Sequence, residues 1–485
     1  MNDAIYRNKF RSGVIFVTLL AIISLPLSYY RNWLLSLVSA DAVSTYAILL
    51  LISSVVSTFL MFGGSVVYST FLPKITKKSD QLGFIISSTA LSCIFTFIFL
   101  FILLIFPNIV ISWLPENLSI TINQLRLTSI FIVCFAVGQV IIYSLTGLRE
   151  YKISALLTNL QIVAISVFLT VSMFFFPKLM KDNAFTALII LLSFVWLIVS
   201  VYGVFRLYNS LGKVFKFYFP TGYWNQAIYA HFGTVLTFLY NYIDQILVLT
   251  FLGTKDLAQY FLTLQLARLV SFVPQKLSAV FQTSFSSLLS QDSADVAIQL
   301  PNLYNKIAKN CLFLSFGISS FLILFGSGVL QLFGKNMSFN SLFLSLLVLR
   351  YLIGCFGSTH SMMILAHEKN SIFFWSNTVV VFVQLILSLA LVKSFGVLGI
   401  ISAQLISCII GQFNLALILH KKCNVGFYKP LYFFCCIFSA VFLLFISLSD
   451  FGYPLRIVLF VITNISIMFL LRINPKEILQ LKTKS

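Results

Sequence analysis

Three charged side chains stand in stretches that otherwise read as membrane-buried: Arg268, Arg350 and Asp244. A charge at the middle of a membrane helix costs about 2.5–3.5 kcal/mol even on the lenient insertion scale, so such residues face a bundle interior or a wet cavity. Two chemistries are on offer. A guanidinium is a planar fork that recognises anionic oxygens at two points. A carboxylate at the same depth pairs with such a cation or takes up and releases a proton itself. Of the 13 acidic residues in the chain, Asp244 alone lies well inside a predicted helix.

Spacing adds polar company. The predicted seventh helix carries His231, Thr234, Thr237, Asn241 and Asp244 at steps of 3, 3, 4 and 3, which is one face of a helix. The predicted eighth repeats the pattern with Gln265, Arg268, Ser271, Gln275, Ser278, Gln282 and Ser286. Asp244 lies nine residues from Gly253, about 13–14 Å along the axis. Arg268 lies eleven residues from Leu257 on the same side, so the depths allow an Asp244–Arg268 ion pair. Arg350 sits near that level in the tenth helix. Arg31 falls near the outer end of the first, where a long cationic side chain snorkels to the interface. His231 and His360 read equally well as satisfied interior histidines and as proton sites. The hydroxyl and amide stripes also suit interhelical bonding. The candidate substrate-binding residues are therefore Arg31, Arg268, Arg350, Asn241, Gln265 and Gln275, with Asp244, His231 and His360 as candidate coupling residues.

No catalytic constellation accompanies them. The eight cysteines show no metal-ligand spacing, and Cys435 and Cys436 are adjacent. There is no phosphate-cradling Gly-rich loop and no nucleophile elbow, so no enzyme, metal or cofactor is expected. Gly63-Gly64 reads as a kink or a close helix contact.

The elements that position these residues are apolar runs. The chain is 59% hydrophobic and 9% charged, with a mean hydropathy of +1.00. Soluble domains carry about 25% charge. Fourteen helices are predicted, at 13–38, 43–72, 84–107, 125–146, 154–177, 184–207, 227–252, 257–288, 307–333, 341–365, 369–393, 396–420, 430–448 and 454–472. A transmembrane barrel would show short alternating segments instead. The fold class is an all-α polytopic membrane protein. The first run has no small-residue cleavage site and is read as a retained helix.

The net charge of +19 does not point to nucleic acid, because of where it lies. With the N-terminus inside, the inner segments hold 22 Lys and Arg and the outer segments 8. Basic loops stay cytoplasmic, so both termini are expected there. Part of that charge faces anionic membrane lipid.

An internal repeat organises the helices. Gly147 to Thr170 aligns with Leu365 to Ser388 at an offset of 218, matching Glu150 with Glu368, Asn159 with Asn377, Ser166 with Gln384 and Thr170 with Ser388. Asp41 and Tyr46 near the start of the second helix echo Asp256 and Tyr260 near the start of the eighth. Residues 1–208 and 227–422 thus read as two six-helix lobes related by a pseudo-twofold along the membrane normal. Residues 209–226 form a basic, aromatic cytoplasmic linker. Residues 423–485 hold two further helices and a cytoplasmic tail. Transporters commonly bind substrate at such a repeat interface.

Two lobes with basic residues on helices 1, 8 and 10, Gly-Leu-Arg-Glu at 147–150, Asp256-x-x-x-Tyr260 and Pro274 together resemble the Wzx-type polysaccharide flippases. These belong to the multidrug/oligosaccharidyl-lipid/polysaccharide (MOP) exporter superfamily, whose fold is MATE-like. The resemblance runs nearly the full length on diffuse motifs. It implies a bacterial inner-membrane flippase moving an undecaprenyl-diphosphate-linked oligosaccharide to the periplasmic leaflet for O-antigen (lipopolysaccharide) or capsule synthesis. It implies Arg forks on the diphosphate and hydroxyls or amides on the sugars. It further implies H+ or Na+ as a coupling ion, a polysaccharide polymerase and chain-length regulator as partners, and helices 13 and 14 beside the lipid tail. A MATE-type drug or cation exporter is the alternative, though it would carry more intramembrane carboxylates. A polymerase or ligase would need a longer outer loop than the roughly 18 residues around Pro115.

Overall fold

Lipid offers the backbone neither donor nor acceptor, so an apolar run must close its hydrogen bonds on itself as a helix. In the computed structural model the described residues are helical almost throughout, with no β-strand among them. The structure describes all residues except 1–2, 109–120, 149, 213–215, 273, 276–284, 286–295, 334–338, 368–369, 424–429, 450 and 474–485. Ten of the described helices are long and apolar enough to cross a membrane, and Tyr432–Ser447 is a shorter apolar helix. The chain is a multi-pass membrane protein. It divides into two compact units, Met1–Ala258 and Gln259–Ser485.

The first unit contains α1 (Asp3–Val38), α2 (Ala40–Val55), α3 (Gly64–Phe71), α4 (Lys78–Ile105), α5 (Ile122–Gly147), α6 (Tyr151–Phe175), α7 (Pro177–Leu211) and α8 (Tyr223–Phe251). The single helix predicted over 43–72 is broken. A π turn at Val56–Leu60 precedes Gly63 and Gly64, with φ of 76° and 53°. Only glycine takes those angles at little cost, so the kink expected at this pair is the point where α2 gives way to α3. Elsewhere small and polar residues set the helix contacts, as lipid supplies no hydrophobic drive between helices. Trp196 of α7 lies against Gly138 of α5, and Ser200 Oγ donates to the Cys134 carbonyl at 3.3 Å. Ser166 Oγ of α6 reaches the Leu27 carbonyl of α1 at 3.3 Å, and Tyr30 and Thr170 share a hydrogen bond of 3.1 Å.

The basic, aromatic linker is docked, not free. Gly83 of α4 leaves room for the Lys216 carbonyl, and the Tyr218 amide donates to Ser87 Oγ at 3.2 Å. Tyr223 is buried, with ring centroids 5.9 Å from Phe71 and 5.8 Å from Phe84.

The second unit takes in the end of α9 (Thr254–Ala267), then α10 (Val296–Gln331), α11 (Ser341–Ala366), α12 (Asn370–Cys423), α13 (Pro430–Ser447) and α14 (Tyr453–Leu470). The continuous helix predicted over 257–288 is corrected here. α9 stops at Ala267, and Arg268–Ser271 form a 3-10 turn. Pro274 supplies the reason: it has no N–H for the carbonyl four residues back, and its ring crowds that turn. That carbonyl, of Val270, accepts from Cys355 Sγ of α11 at 3.5 Å instead. The stripe thus passes through a tighter turn after Ala267, Ser271 and Gln275 still meeting four residues apart, and its members Ser278, Gln282 and Ser286 lie outside the described residues. So do Glu368 of the repeat and the connection around Pro115.

α12 is a hairpin of two arms, 370–395 and 397–423, in line with the two helices predicted there. Gly396, at φ 55°, turns the chain, and the Leu391 backbone packs on Gly399. Asn414 Nδ2 donates to Ser376 Oγ at 2.8 Å across the arms. α14 is tied to α10 by Asn464 Nδ2 donating to Ser320 Oγ at 2.9 Å. Arg456 adds a second tie, to the Leu324 carbonyl at 3.1 Å, while also holding the Phe451 and Ser449 carbonyls of the turn before it.

Candidate substrate-binding site

In the first unit α1, α2 and α8 bring the predicted charges into the interior. Arg31 does not snorkel to the interface as expected; it is 5% exposed. Its Nη2 donates to Ser28 Oγ at 3.2 Å and Asn32 Oδ1 at 3.0 Å, and its Nε to the same Oδ1 at 3.2 Å. The guanidinium lies 4.5 Å from the centroid of Tyr46 of α2. Hydroxyl, amide and aromatic partners replace part of the hydration the guanidinium gives up. Asp244 of α8 is buried at 1% exposed, beside Gln245 at 1%. Asn241 and His231 are half-buried, and the His231 ring lies 5.1 Å from Phe62. The hydroxyls of that stripe turn back on their own helix: Thr234 donates to the His231 carbonyl and Thr237 to Gly233. Their oxygens retain acceptor capacity but not a free proton.

In the second unit two predicted arginines converge on one residue. Arg268 Nε, at the start of the 3-10 turn, donates to Tyr351 Oη at 3.1 Å. The Arg350 guanidinium stacks 4.5 Å from the centre of the same ring. Arg350 is 4% exposed and Arg268 half-buried. The Arg350 carbonyl takes Cys408 Sγ from the second arm of α12 at 3.5 Å, which pins this turn of α11. Two planar donor forks are thus held around a single phenol, an arrangement suited to an anion with several oxygens. Gln265 is half-buried; Gln275 is exposed, its Nε2 donating to Ser271 Oγ at 2.8 Å.

His360 lies apart from that pair. Its Nδ1 faces the Phe356 carbonyl at 2.8 Å and its Nε2 the Tyr304 hydroxyl at 3.2 Å. Both nitrogens are satisfied in the tautomer with the proton on Nδ1, so His360 joins α10 to α11 as an interior histidine. Among the described residues no group of histidine, cysteine or acidic side chains could hold a metal ion.

Tyr351 was not legible as a site residue. Its only signal is adjacency to Arg350. Tyr46 and Tyr260 were visible only as an echo between helices, yet each has a polar role: Tyr46 underlies Arg31, and Tyr260 accepts from Gln404 Nε2 at 3.2 Å.

Neither a family model nor a curated relative matches the chain. Solved structures do. The lipid II flippase MurJ in its inward closed conformation is similar at 16% identity and TM-score 0.64, covering 94% of this chain and 99% of that one. The Vibrio cholerae MATE transporter VcmN is 14% identical with TM-score 0.57, covering 86% and 99%. A MOP superfamily transporter from Pyrococcus furiosus, described as having a binding pocket of reversed polarity, is 13% identical with TM-score 0.58, covering 84% and 96%. The chain has the fold of the MOP superfamily transporters, the fold that flippases and MATE exporters share.

Proposed function

We propose that the chain is a flippase carrying an undecaprenyl-diphosphate-linked oligosaccharide from the cytoplasmic to the periplasmic leaflet by alternating access, for O-antigen or capsular polysaccharide synthesis. The observation that carries this reading is the Arg268–Tyr351–Arg350 arrangement. Two forks fixed on one ring suit a diphosphate better than a cation. On this reading both termini are cytoplasmic and the membrane is the bacterial inner membrane. The prenyl tail stays in lipid while the charged head crosses. Moving one charge is worth about 2.3 kcal/mol per 100 mV, so an inside-negative potential favours exit of a doubly charged head by about 4–5 kcal/mol.

One observation favours a second reading, a MATE-type drug or cation exporter: the buried carboxylate of Asp244. A single experiment separates the two. Vesicles reconstituted with the protein are loaded on one face with a lipid-linked oligosaccharide, and its appearance on the other face is timed. Arg268→Ala and Arg350→Ala are each expected to slow transfer at least about tenfold, with Lys recovering part, since it keeps charge but loses the fork. Asp244→Asn is expected to slow it without abolishing it. Full transfer by the well-folded double Ala variant overturns the flippase reading. Electrogenic uptake of organic cations that depends on Asp244 and ignores both arginines establishes the exporter.

A further inference from the structure

Pro274 leaves the Val270 carbonyl without its usual helical donor, because proline carries no N–H. The thiol of Cys355, on α11, takes that carbonyl at 3.5 Å. Val270 belongs to the same 3-10 turn as Arg268. Five residues before Cys355 on α11 stands Arg350, whose own carbonyl takes the thiol of Cys408 at 3.5 Å. Each arginine-bearing turn is therefore held from behind by one thiol. The structure describes seven free cysteines, and these two are the ones whose thiols donate to backbone carbonyls. Both are buried, at 2% and 1% exposed, so neither offers its sulfur to a ligand.

The thiols complement Tyr351. The tyrosine ties the two arginine side chains, Arg268 through its hydroxyl and Arg350 through its ring. Cys355 and Cys408 tie the backbones that carry them, joining the Arg268 turn to α11 and α11 to the second arm of α12. A thiol is a weak donor, so these bonds add little to stability. What they set is place. A guanidinium fork recognises paired oxygens only at the right distance and angle. Binding groups have to be held within about 0.5 Å by the residues behind them.

We infer that Cys355 and Cys408 are positioning residues of the arginine site. They hold the two forks at a fixed separation and so set a preference for a diphosphate over a single phosphate. The inference rests on the diphosphate reading of this site given above. A single phosphate is held by one fork and gains nothing from their spacing, whereas a diphosphate spans both. An apolar residue of the same size would fill the space without carrying the bond.

The test is isothermal titration calorimetry of the full-length protein in detergent, with pyrophosphate and, separately, orthophosphate. The unaltered protein is expected to bind pyrophosphate more tightly. Cys355→Ala and Cys408→Ala are each expected to narrow that preference about threefold, the scale of one weak hydrogen bond, with orthophosphate affinity unchanged. Cys355→Ser, whose hydroxyl donates to the Val270 carbonyl, is expected to keep the preference. Cys355→Val, which fills the space without a donor, is expected to lose it. This pair, and its counterpart at Cys408, decides the matter should the Ala variants fold poorly. A preference unchanged in both Ala variants, or equal in the Ser and Val variants, overturns the inference and leaves the diphosphate reading standing. Equal weakening of both anions does the same, because it marks general loosening of the bundle. If the unaltered protein shows no preference for pyrophosphate, the diphosphate reading itself falls, and the inference with it.

Discussion

Tyr351→Phe removes one oxygen and leaves the ring, which separates the two things Tyr351 does. Arg268 Nε loses an acceptor at 3.1 Å, whereas Arg350 keeps the ring 4.5 Å from its guanidinium. A hydrogen bond to a charged group in water-soluble proteins contributes about 1.5–3 kcal/mol. Between membrane helices the measured values average only ~0.6 and reach ~1.7, because the unfolded chain also finds partners in lipid. Arg268 is half-buried, so the membrane figure applies, and Tyr351→Phe should cost about 1 kcal/mol. Tyr351→Leu also forfeits the cation–π contact, ~0.5–2 kcal/mol more. The total is then about 1.5–3 kcal/mol. Detergent-driven unfolding in mixed micelles measures both. A double-mutant cycle of Tyr351→Phe with Arg268→Gln should show a coupling of about 1 kcal/mol, since neighbours sharing a bond are not additive. Pyrophosphate binding should follow the same order, weakened less by Phe than by Leu. A coupling of zero, or Phe and Leu variants of equal stability, would refute the view that Tyr351 holds both guanidiniums.

Gly83→Ala places a methyl group on the Lys216 carbonyl, a backbone atom that cannot rotate away. Overpacking at ~1–3 kcal/mol should lift the linker from α4, seen as faster hydrogen exchange over 216–223; unchanged exchange there would mean the linker is held otherwise. Arg456→Ala frees the Leu324, Phe451 and Ser449 carbonyls together. Hydrogen exchange in α14 should rise several-fold while α10 stays protected, with Arg456→Lys intermediate; an unaffected α14 would show that Asn464 and Ser320 suffice.

The sequence by itself determined the class of this protein, and the reason is the solvent. Runs such as 84–107 and 184–207 leave a backbone in lipid no choice but helix, so the rough limits of those spans follow from composition. Gly63-Gly64 was legible as a kink or a close contact, though the predicted helix ran on to 72, and the two helices predicted over 369–393 and 396–420 meet at Gly396. What periodicity did not show was the tighter turn ahead of a proline. The stripe beyond Ala267 assumed an unbroken α-helix, and Pro274 favours a tighter turn whose spare carbonyl is met by Cys355, a residue 85 positions away. Arg31 failed similarly. Snorkelling is a default for an arginine near a helix end, overruled here by Ser28, Asn32 and the Tyr46 ring. The stripes showed which polar residues had to leave the lipid. Only the tertiary structure decided which side chain each one meets, because Arg268 and Tyr351 share no helix and no spacing rule. One hydrogen bond between distant segments makes two arginines a single candidate site.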